Sequence, residues 1–86
     1  MKLSSDCSLH SLRGHHVLVY YDADGQHLLE INESLALLFH RAESGPFTAE
    51  SLAPVLEERY GLPHDVAETE AQKAIELWTQ YRLTEP

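Results

Sequence analysis

The stretch GQHLLEINESLALLF, Gly25 to Phe39, begins as a strand and ends as a helix, with only INES at the seam. Leu35, Leu38, Phe39 and Ala42 recur at helical spacing after the seam, whereas the residues before it form a β-rich apolar run. The seam reads as a cap: Asn32 can accept a hydrogen bond from a free amide of the first turn. Glu33 places a carboxylate beside the positive end of the helix dipole. A chain that joins the two so abruptly is expected to be α+β.

Upstream, HHVLVYYDADGQHLLEI holds two β-rich runs around Asp-Ala-Asp-Gly, the chemistry of a tight hairpin turn. Closing the turn over Asp24-Gly25 pairs Leu18 with Ile31; a four-residue loop over Asp22 to Gly25 pairs Leu18 with Leu29. The two registers differ by two residues, so the faces are the same. Leu18, Tyr20, Leu29 and Ile31 share one face, and Val17, Val19, Tyr21, Leu28 and Glu30 share the other. A hairpin with one buried face normally alternates cleanly with polar residues. Here the second face is also apolar, so the leading strand, a helix, a dimer mate or a bound peptide is expected to cover it.

The chain of 86 residues is read as one domain spanning 1–86. Its polar first dozen residues, with Leu9 and Leu12 interspersed, are expected to form a short leading strand, with 1–8 as a flexible tail in the alternative. Downstream, Gly45-Pro46 is expected to end the first helix, and Thr48 to cap a second that buries Leu52, Val55, Leu56 and Tyr60 and stops at Gly61. Pro54 removes one backbone donor there, so an irregular first turn or a later start is expected. A third helix should open near Pro63 and His64 and run to about Arg82. Its apolar residues span an arc of about 180°, wider than the stripe of about 100° that a core needs. Val66, Leu77 and Tyr81 are the surplus shoulder, with Glu70 and Lys73 alongside.

Fourteen Asp and Glu against six Lys and Arg give a net charge of -8, the opposite of the basic stripe that neutralises nucleic-acid phosphates. No apolar run approaches the ~18 residues of a membrane span, and MKLSSDCSLH lacks the apolar block of a secretory signal, so a cytoplasmic location is expected. The lone Cys7 has no partner for a disulfide or a zinc spacing. His15 and His16, adjacent on a strand, point to opposite faces and cannot readily share a metal. Gly-rich phosphate loops, GxSxG and HExxH are absent, so neither catalytic residues nor cofactors are assigned. The ESL of Glu33 to Leu35 is similar to the start of an acyl-carrier attachment site, but a hairpin stands where a carrier has a long helix. Ser34 is therefore read as an ordinary first-turn residue.

Taken in order, VLVYYDADGQHLLEI, INESLALLF, FTAESLAPVLEERYG and a long last helix closing on Leu83 resemble the PqqD-like family of peptide chaperones, or RiPP recognition elements, from about Leu9 onward. Ile31 stands for the family's usual leucine, Pro54 disturbs the second helix, and QYRLTEP lacks the glycine often found before the last apolar residues. The resemblance implies a winged-helix-like, non-catalytic adaptor. Such a domain binds the leader of a ribosomally made precursor peptide by strand addition and presents it to a modifying enzyme, often a radical SAM protein or a cyclase. On this chain the implied docking edge is Leu28, Leu29, Glu30 and Ile31, ended by Asn32. The helical wheel gives Glu70, Lys73, Leu77 and Tyr81 as the facing wall. The rival readings are an acidic interaction or regulatory domain that dimerises through the same edge, and a DNA-binding winged helix.

Overall fold

The structure, a computed structural model, describes residues 1–85. In chain order these form β1 (Lys2–Leu3), β2 (Cys7–Leu12), β3 (His15–Asp22), β4 (Gly25–Ile31), α1 (Glu33–Ala42), α2 (Ala49–Tyr60), α3 (His64–Gln80) and β5 (Thr84–Glu85). The expected α+β architecture of leading strand, hairpin and three helices is present. Strands β2, β3 and β4 make an antiparallel sheet with β3 in the middle, which leaves β4 as an edge.

Of the two hairpin registers, the one pairing Leu18 with Leu29 is realised, and the loop between Asp22 and Gly25 is Ala23-Asp24. Asp22 Oδ1 accepts from the Asp24 amide at 2.8 Å, the local bond that lets an aspartate set a turn. The β2–β3 turn uses Arg13 and Gly14, both with positive φ (53° and 80°), which matches the twist of the strands it joins. Leu18, Tyr20, Leu29 and Ile31 face the helices together with Cys7 and Leu9 of β2.

Beneath that face, Leu18, Leu38, Phe39, Leu52, Leu56, Trp78 and Leu83 are the large, fully buried side chains. Phe39 and Phe47 each meet the Trp78 ring edge-on at 5.7 Å, the aromatic arrangement favoured by opposed quadrupoles. Both expected caps form: Asn32 accepts from the Leu35 amide at 2.9 Å, and Thr48 and Ser51 make a reciprocal capping box.

Four details differ from the sequence expectation. Helix α2 starts directly after Thr48 in spite of Pro54, because Pro54 and Glu50 lie on the exposed side, where water can reach the carbonyl that loses its donor. Tyr60, expected in the core, is exposed at the end of α2, with the Arg59 guanidinium 5.4 Å from its ring centre. Helix α1 stops at Ala42, three residues before Gly45. Helix α3 stops at Gln80 rather than running to Arg82. There Arg82 takes the left-handed conformation (φ 60°) usually left to glycine, its amide bonds Thr79 O, and the Leu83 amide bonds Trp78 O. These are the two bonds of a Schellman cap, and they turn Leu83 into the core beside Trp78.

Past that cap, β5 pairs with β1 in a two-stranded clasp, with Lys2 Nζ 3.4 Å from Glu85 and the Ser4 amide bonded to Leu83 O at 2.6 Å. The Phe47 amide donates to Met1 O at 2.7 Å. Residues 1–8 are therefore tied to the body at both strands they contain.

The α2–α3 corner carries a titratable clamp. His64 Nδ1 lies 3.1 Å from Glu57 and Nε2 lies 3.2 Å from Glu68. The hydrogen bond and charge of Glu57, then Glu68, raise the imidazole above its usual range. A raised histidine pKa gives stability that is fully present below the unfolded value of about 6.5 and is lost as pH rises through the folded value. Melting temperature is expected to fall slightly as pH rises above about 6.5, and His64→Gln should flatten that slope. An unchanged slope in the variant would remove the clamp from the account.

Candidate functional site

Which backbone groups β4 offers at its open edge follows from the hairpin. A two-residue loop is closed by a pair that exchanges both hydrogen bonds, so bonded and non-bonded pairs alternate from Asp22–Gly25 onward. His27, Leu29 and Ile31 thus spend their amides and carbonyls on β3. Gln26, Leu28 and Glu30 turn theirs outward. The same count from the Leu12–His15 pair assigns Val17 and Val19 of β3 to β2, leaving Leu18 and Tyr20 for β4, so the middle strand has no conflict.

Side chains divide the other way. Leu29 points inward beside Leu18 and is half-buried, and Ile31 is in the core at 8 % exposure. Leu28 and Glu30 point to the opposite face of the sheet. Leu28 and Glu30 therefore contribute backbone to the helix-side edge, while Leu29 contributes a side chain.

Where β4 ends, a cleft of about 300 Å³ opens between the strand-to-helix junction and α3, lined by Asn32, Ser34, Leu35, Leu38, Leu56, Glu70, Lys73, Ala74 and Leu77. A second hollow of about 440 Å³ shares Asn32, Ser34, Leu56 and Glu70 and continues to Glu33, Tyr60 and Leu62. Asn32, Glu70, Lys73 and Leu77 are thus brought to one cleft. Tyr81 stands towards the other end of the edge: its ring lies 5.8 Å from Tyr20, which stacks on His27 at 5.1 Å.

Sequence reasoning did not single out Leu35, Leu38, Leu56, Tyr60 or Leu62 as lining residues, or His27 as the ring stacked on Tyr20. The helical period placed Leu35, Leu38 and Leu56 in the core, and the period cannot tell a core position from a cleft wall; Leu62 lies between two helices, where no period reaches it. His27 pairs with Tyr20 only in the register that formed, and the sequence left the register open.

The rim is electrically balanced although the chain is strongly acidic. Lys73 Nζ sits 3.3 Å from Glu70, and Arg59 Nη2 sits 2.8 Å from Glu33. Ser34 donates to the Asn32 carboxamide oxygen at 3.0 Å and so belongs to the cap. A larger hollow of about 630 Å³ lies along the outer side of α3, among His64, Asp65, Glu68, Gln72 and Glu76. It has no leucine wall and no strand beside it.

Among the described residues no three His, Cys, Asp or Glu side chains are placed to hold a metal. Among the described residues no helix is long and apolar enough to cross a membrane. Burial, then Glu43 and Asp6, push the Cys7 thiol above its usual value, which disfavours the nucleophilic thiolate.

Edge and cleft together define a small α+β domain whose sheet stops at an open strand beside an apolar groove. No family model matches the chain, and no curated protein matches it. Two solved structures share its fold along nearly the whole length. One is TbiB1 in complex with the TbiA(beta) leader peptide, with a TM-score of 0.81 at 15% identity over 99% of this chain and 95% of that one. The other is lasso peptide synthetase B1 complexed with the leader peptide, with a TM-score of 0.78 at 19% identity over 99% and 96%. The α+β fold implied by the PqqD-like resemblance is the fold of these chains.

Proposed function

We propose that the chain is a non-catalytic adaptor that captures the leader of a ribosomally made precursor peptide as an added strand on β4. It then presents the peptide to a modifying enzyme of the radical SAM or cyclase type in the cytoplasm. The observation that carries this is the outward set of Gln26, Leu28 and Glu30 backbone groups running directly into the apolar cleft at Asn32. Main-chain pairing gives affinity of little sequence demand, and alternate side chains dropping towards Leu29, Leu77 and Leu35 give selectivity. Two chains of the same fold are described in complex with leader peptides. Because Glu70 and Glu33 are each ion-paired, selectivity rests on apolar contacts rather than on the net charge of -8.

Amide NMR titration with a synthetic leader from a precursor gene beside this one tests the reading. The expected result is shifts at Gln26, Leu28, Glu30 and Asn32 and along Glu70 to Tyr81. Shifts confined to other surfaces, or none with any neighbouring precursor, would sink it.

A further inference from the structure

The outer face of the sheet is the largest feature that peptide capture leaves unused. Leu12, Tyr21 and Leu28 are 74%, 58% and 69% exposed, and the strand register places all three on this one face around Val17 and Val19. Strand β2 lies beside β3 rather than over it, and no described element crosses the face. Its polar residues are Ser8, His10, His15, Gln26 and Glu30, with neither lysine nor arginine among them.

We infer that this face pairs with the same face of a second copy, stacked sheet on sheet about a twofold axis parallel to β3. The register carries the inference. His10, Val17 and Glu30 form one row across β2, β3 and β4. Rotation about β3 lays β2 of one copy over β4 of the other, so His10 faces Glu30 of the second copy, twice by symmetry, and joins the His15 that lies 3.5 Å from that carboxylate within its own chain. Valines 17 and 19 meet their own counterparts on the axis, at the spacing of about 10 Å usual for packed sheets.

Charge also favours this geometry over others. Glu33 to Gln80 holds nine acidic and three basic residues, net -6 of the total -8, all on the helical side. Stacking through the sheets puts those layers at the two far ends of the dimer, where salt screens them. The patch, roughly 14 by 20 Å in each copy, falls below the area of a permanent interface, so the dimer is weak and concentration-dependent. The outward amides of β4 stay open in it, so the pairing stands independently of the peptide reading.

Sedimentation equilibrium of the full chain, from about 10 μM to about 1 mM, tests it. The expected average mass climbs from 9.7 kDa towards twice that value. His10→Glu sets like charges opposite each other twice and should weaken association at least about tenfold. Adding Glu30→Lys to His10→Glu should restore it, since within one chain the two residues are two strands apart, about 10 Å. A constant 9.7 kDa mass overturns the pairing. So does an association that ignores His10→Glu, or one that saturating leader peptide dissolves, since that would place the contact at the edge.

Discussion

Glu30→Pro is expected to leave the fold intact and remove peptide binding. Proline lacks an amide hydrogen, and at Glu30 that hydrogen points away from β3, so the β3–β4 ladder keeps every bond. The ring occupies the space where an added strand would lie, and the side chain it replaces is exposed. The residue before a proline must be extended, and Leu29 already is. Loss of one interstrand bond, about 0.5–1.5 kcal/mol, together with the steric block, should weaken peptide affinity at least about tenfold. Leu29→Pro is the contrast, because its amide bonds into β3 and its side chain touches the core. That variant should unfold. Calorimetric titration beside a thermal melt reads both. Unaltered affinity in Glu30→Pro would move the peptide off this edge, and unfolding would overturn the assigned alternation of bonds.

Those two adjacent residues also show what sequence can and cannot carry. The caps at Asn32 and Thr48 were legible because one side chain and one amide decide them. The faces of the hairpin were legible because both candidate registers agree on them. Which register forms was not, since Asp-Ala-Asp-Gly supports either loop, and with it went the identity of the outward amides.

The β1–β5 clasp has two residues a side and no period to detect. The end of α3 depended on Arg82 adopting a glycine-like angle, which no propensity favours. Tyr60 misled because helical spacing from Leu56 argues for burial, whereas the chain turns at Gly61 before anything can cover the ring. The wheel was right that α3 has more apolar surface than its core contacts need: Val66 is exposed, and Leu77 and Tyr81 are half-buried.

The largest stability effect is expected at Trp78, which lines neither the cleft nor the hollow beside it. Its ring is fully buried between Phe39 and Phe47, and its carbonyl holds the Leu83 amide that turns the chain into the clasp. Trp78→Ala should cost about 3–5 kcal/mol, a large share of the about 5–15 kcal/mol that holds a domain together. Glu70, Lys73 and Leu77 ride on the same helix, so the groove wall is lost with the fold. Trp78→Phe should cost much less. It keeps an aromatic ring against both neighbours, and the indole N–H it removes has no acceptor among the described residues, so no protein hydrogen bond is lost. Urea unfolding followed alongside peptide affinity separates the two roles of α3. If affinity in both variants tracks the folded fraction, Trp78 acts through stability alone. Lost affinity at an unchanged urea midpoint would mean that the peptide reaches Trp78 itself, and that the groove runs deeper than Leu77.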